Sequence, residues 1–416
     1  MYVEHLSLTG FRSYEQLDVP IGPGITVFVG ANGVGKTNIV EAIGYLATLS
    51  SHRTATDRPL VTFGHERAII RGKLVRGTQR TSVELEINVE AANRARINRA
   101  NPVRARNAAG ILRSVVFAPE DLSLVKADPS VRRRYLDEVL VALLPHRASL
   151  RADYDRVLKQ RNALLKSARA AGRFSTTHEA TLDVWDQHLV EAGVLLLSAR
   201  LRLVEQLRPL VVRAYGQLTD GSKGVDIHYS SSVSPSGELL VPDDDPGIAA
   251  PVRDEGLAHL PDSELRELFA ADLVRHRRKE LDRGISLVGP HRDELGLTLG
   301  GAPVKGYASH GETWSMAIAL RLASYYLLLE DGRTPGAEPV LILDDVFAEL
   351  DEQRRSRLAA IIGSAEQVLI TAAVVDDIPE TLTGRRIRVV PGGIDPVDAT
   401  AGGGVPALPD GAGTDD

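Results

Sequence analysis

The sequence contains no cysteine among its 416 residues. This absence excludes disulfide bonds, zinc sites built on thiolates and cysteine nucleophiles. It also contains no apolar run of 18 or more residues, so no segment is expected to span a membrane. The first residues, MYVEHLSLTGFRSYEQL, alternate polar and apolar positions and do not resemble a secretory signal. We therefore expect a cytoplasmic protein with no membrane partner.

An overall excess of basic residues is also missing. The formal net charge is −6, so the chain as a whole is not a polybasic nucleic-acid binder, and any DNA contact must use local patches. Two clusters qualify: Arg132-Arg133-Arg134, and the run RHRRK at 275–279. A basic run is more often the solvated face of a helix, and that alternative stays open here.

Strand and helix patterns divide the chain into three parts. A compact apolar strand, ITVFV at 25–29, and a helical pattern from Asn38 open it. An Arg-, Leu- and Ala-rich helical block follows from about residue 130, with a Pro- and Asp-rich loop at 241–256. Strand character returns at Ile285 and continues in VLIL at 340–343 and VLIT at 368–371. The closing strands are most simply added to the opening sheet, because neither half alone gives a complete nucleotide-binding core.

These patterns predict an α/β domain interrupted by a mainly helical one. The tail after the last strand is rich in Gly, Pro and Asp, a composition typical of disorder. The predicted boundaries are 1–122 and 285–392 for the two parts of the α/β domain, 123–284 for the inserted helical domain and 393–416 for a disordered tail.

One glycine-rich segment fits the pattern G-x-x-x-x-G-K-[ST] between a strand and a helix. Its glycines let backbone N–H groups turn toward phosphate oxygens, and the helix N-terminus adds positive potential. Lys36 supplies a charge for the β- and γ-phosphates, and the Thr37 hydroxyl is a ligand for Mg²⁺. We therefore predict a site for ATP and Mg²⁺ whose residues are Gly30, Ala31, Asn32, Gly33, Val34, Gly35, Lys36 and Thr37.

A second candidate is the apolar strand at 340–343, which ends in Asp344 and Asp345. Two carboxylates at that position suit metal-assisted phosphoryl transfer. Asp344 would hold Mg²⁺, and Asp345 would orient and deprotonate the attacking water, which makes Asp345 and Lys36 the candidate catalytic residues. An Asp pair that only caps the following helix is the alternative.

A third candidate is Ser309-His310-Gly311-Glu312, which opens an amphipathic helix. It resembles the signature of ABC ATPases, in which a serine hydroxyl, a glycine N–H and a helix N-terminus cap the γ-phosphate held by the other subunit. A plain helix cap with Glu in the first turn is the alternative. Glu349-Leu350-Asp351 matches the D-loop of that class. Thr371 stands where the class often has a switch histidine, so the γ-phosphate sensor is left open.

The interval from Thr37 to Ser309 is longer than in transporter ATPase subunits, and the chain lacks the sustained heptads of chromosome-condensation ATPases. With this interval, the ordered motifs closely resemble the RecF family within the SMC and RecF group of ABC-class ATPases. The motifs that carry the resemblance, besides those above, are Phe11-Arg12-Ser13-Tyr14, Ser51-His52-Arg53-Thr54, Phe117 to Leu122, Arg132 to Asp137, Gly289-Pro290-His291-Arg292-Asp293 and Leu343 to Asp351.

The resemblance implies an ABC-type P-loop ATPase head, a mixed sheet with flanking helices, carrying an inserted helical domain. It implies a slow ATPase that forms an ATP-dependent homodimer on double-stranded DNA and on gapped or single-stranded junctions, and helps RecO and RecR load RecA. By the same analogy, Arg12 and Ser13 lie near the nucleotide, and Ser309, Gly311 and Glu312 cap the partner's γ-phosphate.

Three points stay open. Arg132, Arg133 and Arg134 are the candidate DNA contacts. His291 and Arg292 fit a structural role at least as well as a catalytic one. A transport-coupled ABC ATPase subunit and a structural ATP clamp that binds protein are the alternative functions.

Overall fold

The computed structural model describes residues 1–171, 176–221, 223–235, 256–331 and 336–395. Within these residues the chain forms fifteen strands and nine α-helices. The strands are β1 Tyr2–Phe11, β2 Tyr14–Pro20, β3 Gly24–Val29, β4 Arg67–Arg76, β5 Gln79–Asn88, β6 Arg94–Ile97, β7 Val103–Arg104, β8 Ser114–Phe117, β9 Val225–Ser230, β10 Glu294–Leu299, β11 Ala302–Pro303, β12 Val340–Asp344, β13 Gln367–Ala372, β14 Arg385–Val390 and β15 Gly393–Ile394. The helices are α1 Lys36–Thr48, α2 Leu122–Lys126, α3 Pro129–Leu143, α4 Leu150–Ala170, α5 Thr176–Leu218, α6 Asp262–Arg283, α7 Val304–Tyr307, α8 His310–Glu330 and α9 Glu352–Ile362.

The central sheet has the order β15-β14-β3-β13-β12-β8, and all its neighbours except β15 and β14 pair in parallel. Strands β12 and β13 are buried at every position, as expected for a parallel sheet covered on both faces. Strand β3, from the opening segment, lies between β13 and β14, from the closing one. The prediction that the closing strands complete the opening sheet is therefore confirmed.

A second, antiparallel sheet has the order β2-β1-β4-β5-β6-β7. Along β5 the residues Val83, Leu85 and Ile87 are buried and alternate with partly exposed neighbours, which is the period expected of a half-exposed strand. Helix α1 packs between the two sheets. A Cβ added at Gly72 of β4 would lie 2.9 Å from Leu46, so this glycine allows the close approach of helix and strand.

The region between the two parts of the central sheet is mainly helical, as predicted, but it also contains β9. This strand pairs with β10, and β10 with β11, in a third sheet. The sequence places strand character from Ile285 onward, yet 285–289 is not a strand, and β10 joins the inserted region rather than the central sheet. An apolar pattern predicts a strand but not the strand with which it pairs. The predicted domain boundary at 284 therefore separates β10 from β9, its partner in the inserted region.

The predicted tail begins with paired structure, because β15 pairs with β14. The rest of that tail, 396–416, and residues 241–255 of the predicted loop lie outside the described residues. None of the helices in the described segments is long and apolar enough to cross a membrane.

Candidate nucleotide-binding site

The candidate site lies at the carboxyl edge of the central sheet. Because β3, β12 and β13 are parallel neighbours, their carboxyl ends meet at one edge, where ligands of open α/β sheets bind. This arrangement brings together the loop after β3, Asp344 at the end of β12 and Thr371 near the end of β13. Two motifs far apart in the sequence therefore share one place in the fold.

Three glycines give the loop after β3 its shape. Gly33 and Gly35 have φ values of 87° and 113°, in the left-handed region that suits glycine. A Cβ at Gly35 would lie 2.5 Å from the Tyr14 hydroxyl oxygen, and one at Gly30 would lie 2.5 Å from the Val389 carbonyl oxygen. Backbone conformation or close packing therefore requires glycine at each of these three positions.

Lys36 begins helix α1 and folds back over this loop. Its side chain is buried, and Nζ donates hydrogen bonds to the carbonyl oxygens of Gly30, at 2.9 Å, and Ala31, at 3.2 Å. Nζ also lies 3.5 Å from the side-chain oxygen of Asn32. The ammonium is thus held at the mouth of the loop, where it can meet an incoming phosphate.

The two threonines and two aspartates form a connected group. Asp344 Oδ1 accepts hydrogen bonds from the hydroxyls of Thr37, at 2.9 Å, and Thr371, at 2.7 Å. The Thr371 hydroxyl oxygen accepts a third bond from the backbone N–H of Asp345, at 2.9 Å. Thr371 therefore positions both carboxylate residues, a role that the sequence did not reveal. It does not by itself identify a γ-phosphate sensor.

Neighbouring groups separate the pKa values of the two aspartates. Burial by itself would raise the pKa of the Asp344 carboxyl, but His52 and the hydroxyls of Thr371 and Thr37 hold it below its ordinary value. For Asp345, burial and then the negative charge of Asp344 raise the pKa. Asp345 also has a φ of 52°, which is uncommon outside glycine. One carboxylate is thus suited to stay charged beside a cation, and the other to exchange a proton.

The donor set fits a hard divalent cation bound together with phosphate. Among the described residues, no group of three or more His, Asp or Glu side chains could hold a metal alone. Mg²⁺, however, is usually held by one or two protein oxygens plus phosphates and water. The Thr37 hydroxyl and the Asp344 carboxylate, already in contact, are the two protein oxygens that would serve here.

Arg12 and Ser13, which are predicted to lie near the nucleotide, contact residues of helix α1. The Ser13 hydroxyl oxygen accepts a hydrogen bond of 2.9 Å from Asn38, and the Arg12 guanidinium donates two bonds to Glu41. Glu41 is fully buried; burial alone would raise its pKa, but Arg12 and Ser51 hold it below the ordinary value. The Arg12 guanidinium is thus anchored to the phosphate-loop helix.

His52 is a site residue whose position the sequence did not reveal. Its Nε2 lies 3.6 Å from Asp344 Oδ2. This nitrogen is buried, and it has no hydrogen-bond partner in the described part of the chain. The only signal was its place in the motif Ser51 to Thr54, directly after α1.

Ser309 caps helix α8. Its hydroxyl accepts from the backbone N–H of Glu312, and the Glu312 carboxylate accepts from the backbone N–H of Ser309, which is a capping box. The helix-cap interpretation is therefore correct as local structure. It is compatible with an anion site, because Ser309 is exposed and ends a helix. No hydrogen bond in the described segments joins residues 309–312 to the phosphate loop.

Two cations flank this segment. Lys223, from the turn between α5 and β9, donates a 2.6 Å hydrogen bond to Glu312, and this contact together with the hydrogen bonds from Ser309 lowers the pKa of Glu312 to about 2. Arg354 of α9 lies against Gly311, where an added Cβ would come within 3.0 Å of its guanidinium. Arg354 also bonds Asp351, the last residue of the predicted D-loop. The signature segment and the D-loop segment are thus adjacent.

An open cavity adjoins Asp345 on the outer side of the site. It is lined by Asn32, Pro119, Phe347, Glu349 and Thr371, among others, and none of its lining residues belongs to the signature segment. Pro119 is therefore close to Asn32 of the phosphate loop. The neighbouring Asp121 instead faces inward and pairs with Arg321.

The predicted DNA contacts divide into different environments. Arg132 is 6% exposed, and its guanidinium binds the Glu294 carboxylate in two bonds of 2.7 Å and two backbone carbonyls. It is a structural residue and does not lie on an open surface. Arg133 bonds the carbonyl of Asp293, and Arg134 bonds Glu138. The prediction that Arg132 contacts DNA is therefore not supported, whereas Arg133 and Arg134 stay candidate contacts.

His291 and Arg292 have structural partners. His291 lies 2.6 Å from the Tyr154 hydroxyl oxygen, and Arg292 donates to the carbonyl oxygen of Ser286. Burial lowers the pKa of His291 to about 3, so its ring stays neutral.

Known proteins are similar to this chain in sequence and in fold. Residues 2–381 match the family model described as the RecF/RecN/SMC N terminal domain. The DNA replication and repair protein RecF of Pseudarthrobacter chlorophenolicus is 63% identical over 399 residues, covering 95% of this chain and 99% of that protein. Its counterpart in Paenarthrobacter aurescens is 64% identical over 403 residues, with the same coverage.

Solved structures agree with the fold. The recombination mediator protein RecF with ATP, of the RecFOR pathway, matches with a TM-score of 0.79 at 25% identity, covering 95% of this chain and 97% of that one. An Smc head bound to the C-winged helix domain of ScpA matches in fold alone, with a TM-score of 0.50 at 15% identity over 95% of this chain and 96% of that one. The chain therefore belongs to the RecF family of DNA replication and repair proteins, whose ATPase head is of the ABC type.

Proposed function

We propose that this protein is an ATP-dependent DNA-binding ATPase of recombinational repair, active in the cytoplasm as an ATP-driven homodimer. The observation that carries the proposal is the connected group of Thr37, Asp344, Thr371 and Asp345 beside the phosphate loop. The name of the relatives, and the similarity to a solved structure of RecF with ATP, support the same function.

In this proposal each subunit binds the triphosphate of ATP on Gly30 to Thr37. Lys36 and the loop N–H groups neutralise phosphate charge, while Thr37 and Asp344 would hold Mg²⁺, which would supply further charge neutralisation. Asp345 accepts a proton from the attacking water, helped by its raised pKa. Aspartate is shorter than the glutamate common at this position, which fits slow turnover.

The partner subunit would close the site with Ser309, Gly311 and Glu312. Exposure of Ser309, and the absence of a hydrogen bond from 309–312 to the chain's own phosphate loop within the described residues, support closure by a second copy. Hydrolysis removes the phosphate that joins the two halves, and this loss would release the dimer.

The proposed cellular role follows from the family. The protein would bind double-stranded DNA and gapped or single-stranded junctions, act with RecO and RecR, and help load RecA. A transport-coupled ABC ATPase subunit, the alternative function, gains no support, since the full-length relatives are DNA replication and repair proteins.

Three variants test the sandwich: Lys36→Met, Ser309→Arg and, as a matched control, Ser263→Arg at an exposed serine of α6. ATP binding is measured by calorimetry, and mass by sedimentation with a non-hydrolysable analogue. Lys36→Met should lose nucleotide binding. Ser309→Arg should bind nucleotide as a monomer without dimerising, and Ser263→Arg should behave like the unaltered protein. Dimers of undiminished stability in Ser309→Arg would refute the proposal.

A further inference from the structure

The outward face of the antiparallel sheet carries a concentration of positive charge. Six exposed cationic side chains on β4, β6 and β7 form what we call the basic face: Arg67, Arg71, Lys73, Arg94, Arg96 and Arg104. The acidic residues on strands β4 to β7 are only Glu84 and Glu86. A surplus of this kind is notable in a chain whose net charge is −6.

The strand register places these groups on one side of the sheet. Arg71 is opposite Glu84, and Glu84 is opposite Arg96, so the three side chains point the same way. In the neighbouring row, Glu86 is opposite Arg94, and Arg94 is opposite Arg104. Residues directly opposite one another on antiparallel strands share a face. The basic face is therefore a continuous surface across four strands.

In the middle of this face the arginines form ion pairs with the two glutamates of β5. Glu84 lies 2.6 Å from Arg71 and 3.7 Å from Arg96, and Glu86 lies 3.7 Å from Arg67. Exposed pairs of this kind contribute little to stability, and they hold the arginines in place.

The outer edge is different, because Arg94 and Arg104 face each other directly. Both are exposed, and within the described residues neither forms an ion pair. Like charges directly opposite on a sheet are destabilising by themselves. Two adjacent guanidinium groups are, however, suited to bind phosphate oxygens, because arginine forms charge-assisted hydrogen bonds with them.

The positive surface continues beyond edge strand β7 into an open groove. Arg104 and Arg106 line one part of the groove, and His146 and Arg156 another. Its one acidic lining residue, Asp153, is already paired with Arg156 at 3.1 Å. The groove thus extends the basic face with the same charge.

Cationic residues on an edge strand also prevent sheets from joining edge to edge. That role would account for Arg104 alone. It does not account for Arg94 and Lys73, which lie on inner strands, or for Arg106 in the groove. The distribution of charge over both the face and the groove favours a polyanionic partner.

We infer that the basic face, with Arg94 and Arg104 at its outer edge, binds the phosphate backbone of duplex DNA. Contacts of this type bind DNA without reading its sequence. This inference rests on the proposed function and specifies a DNA-binding surface for it.

The test is a salt titration of duplex-DNA binding, measured by fluorescence anisotropy with ATP present. The variant is Arg94→Ala with Arg104→Ala. The matched control is Arg266→Ala with Lys166→Ala, which removes equal charge from exposed positions of α6 and α4. Removing two phosphate contacts should flatten the log-log salt slope by about 2 and weaken binding by on the order of tenfold per contact near 0.1 M salt. The control should change neither quantity.

A second variant, Arg94→Lys with Arg104→Lys, keeps the charge and should retain most of the salt slope. ATP affinity and circular dichroism should match the unaltered protein in every variant, which separates DNA binding from folding. If the unaltered protein binds DNA and the Arg94 and Arg104 alanine variant binds it with the same slope, the inference is wrong and the proposed function stands. If the unaltered protein does not bind DNA at any salt concentration, the proposed function and this inference both fail.

Discussion

The hydroxyl of Thr37 lies 2.9 Å from the carboxylate of Asp344, although 307 positions separate them in the sequence. The inserted region leaves the site between them intact, because β3 and β12 flank the same strand, β13. The contact joins the phosphate-loop helix to the end of a strand from the other part of the head. Nucleotide binding therefore depends on both parts at once.

Replacing Asp344 by Asn should make nucleotide binding insensitive to Mg²⁺. The substitution keeps the shape of the side chain but removes the charge that would hold the cation. We expect ATP affinity in Mg²⁺ to fall by at least about tenfold, and affinity in chelator to stay unchanged. Calorimetry under both conditions measures the effect, and Asp376→Asn, an exposed neighbour, is the control. An equal loss with and without Mg²⁺ would place Asp344 outside the metal site.

The pH dependence of hydrolysis should reflect Asp345. This residue must be ionised to accept a proton, and its pKa is raised by burial and by the charge of Asp344. As the pH falls, activity should therefore decline at a higher pH than an ordinary aspartate, with a pKa of about 3.9, would give. Steady-state rates of hydrolysis across the acid range, at saturating ATP, measure this decline.

Asp345→Asn is the companion variant. It should retain ATP binding and the dimer while hydrolysis falls by roughly 100-fold or more. A variant with undiminished turnover would assign the proton acceptor to another residue.

Lys223→Met should weaken the ATP-driven dimer without changing ATP binding by the monomer. Lys223 holds Glu312, whose carboxylate in turn bonds the backbone of Ser309. Since the pair is exposed, the expected loss of dimer affinity is small, about two- to fivefold. Sedimentation with a non-hydrolysable analogue measures the dimer, and Lys279→Met is the control. A dimer as stable as the unaltered one would limit Lys223 to a surface role.

Gly35→Ala should abolish nucleotide binding, whereas Gly33→Ala should reduce it less. Both glycines have positive φ values, so both substitutions strain the backbone by about 1 kcal/mol. At Gly35 the new methyl group would also collide with Tyr14, whereas at Gly33 nothing lies within 4 Å. Calorimetric ATP affinities should therefore follow the order unaltered, Gly33→Ala, Gly35→Ala, and the reverse order of the two variants would contradict this interpretation of the loop.

Local patterns were sufficient to predict the phosphate loop, because its chemistry, glycine spacing and flanking strand and helix all lie within a short segment. They also predicted the completed sheet, since buried parallel strands appear as short apolar runs. The positions of His52 near Asp344 and of Glu41 beneath Arg12 were not predictable, because these contacts are set by packing between elements. The sequence did contain one indication of Glu41, since it is a charged residue within the apolar run of α1.

The run Arg132 to Arg134 shows why a charged residue type does not by itself predict that a side chain is exposed. Arg132 shares a helical face with the buried residues Tyr135, Leu136 and Val139, at spacings of three, four and seven. That periodicity was visible in the sequence and indicated an inward side chain. Its partner Glu294 lies 162 positions away, so no local pattern could identify it.

The place of β3 between two late strands affects the protein during its synthesis. The ribosome releases residues 24–35 early, but both neighbours of β3, strands β13 and β14, are made only after residue 366. A nascent chain therefore carries its nucleotide loop on a strand with two open edges for most of translation. The central sheet can therefore form only near the end of synthesis. A prematurely terminated chain would leave both edges of β3 unpaired and prone to aggregation.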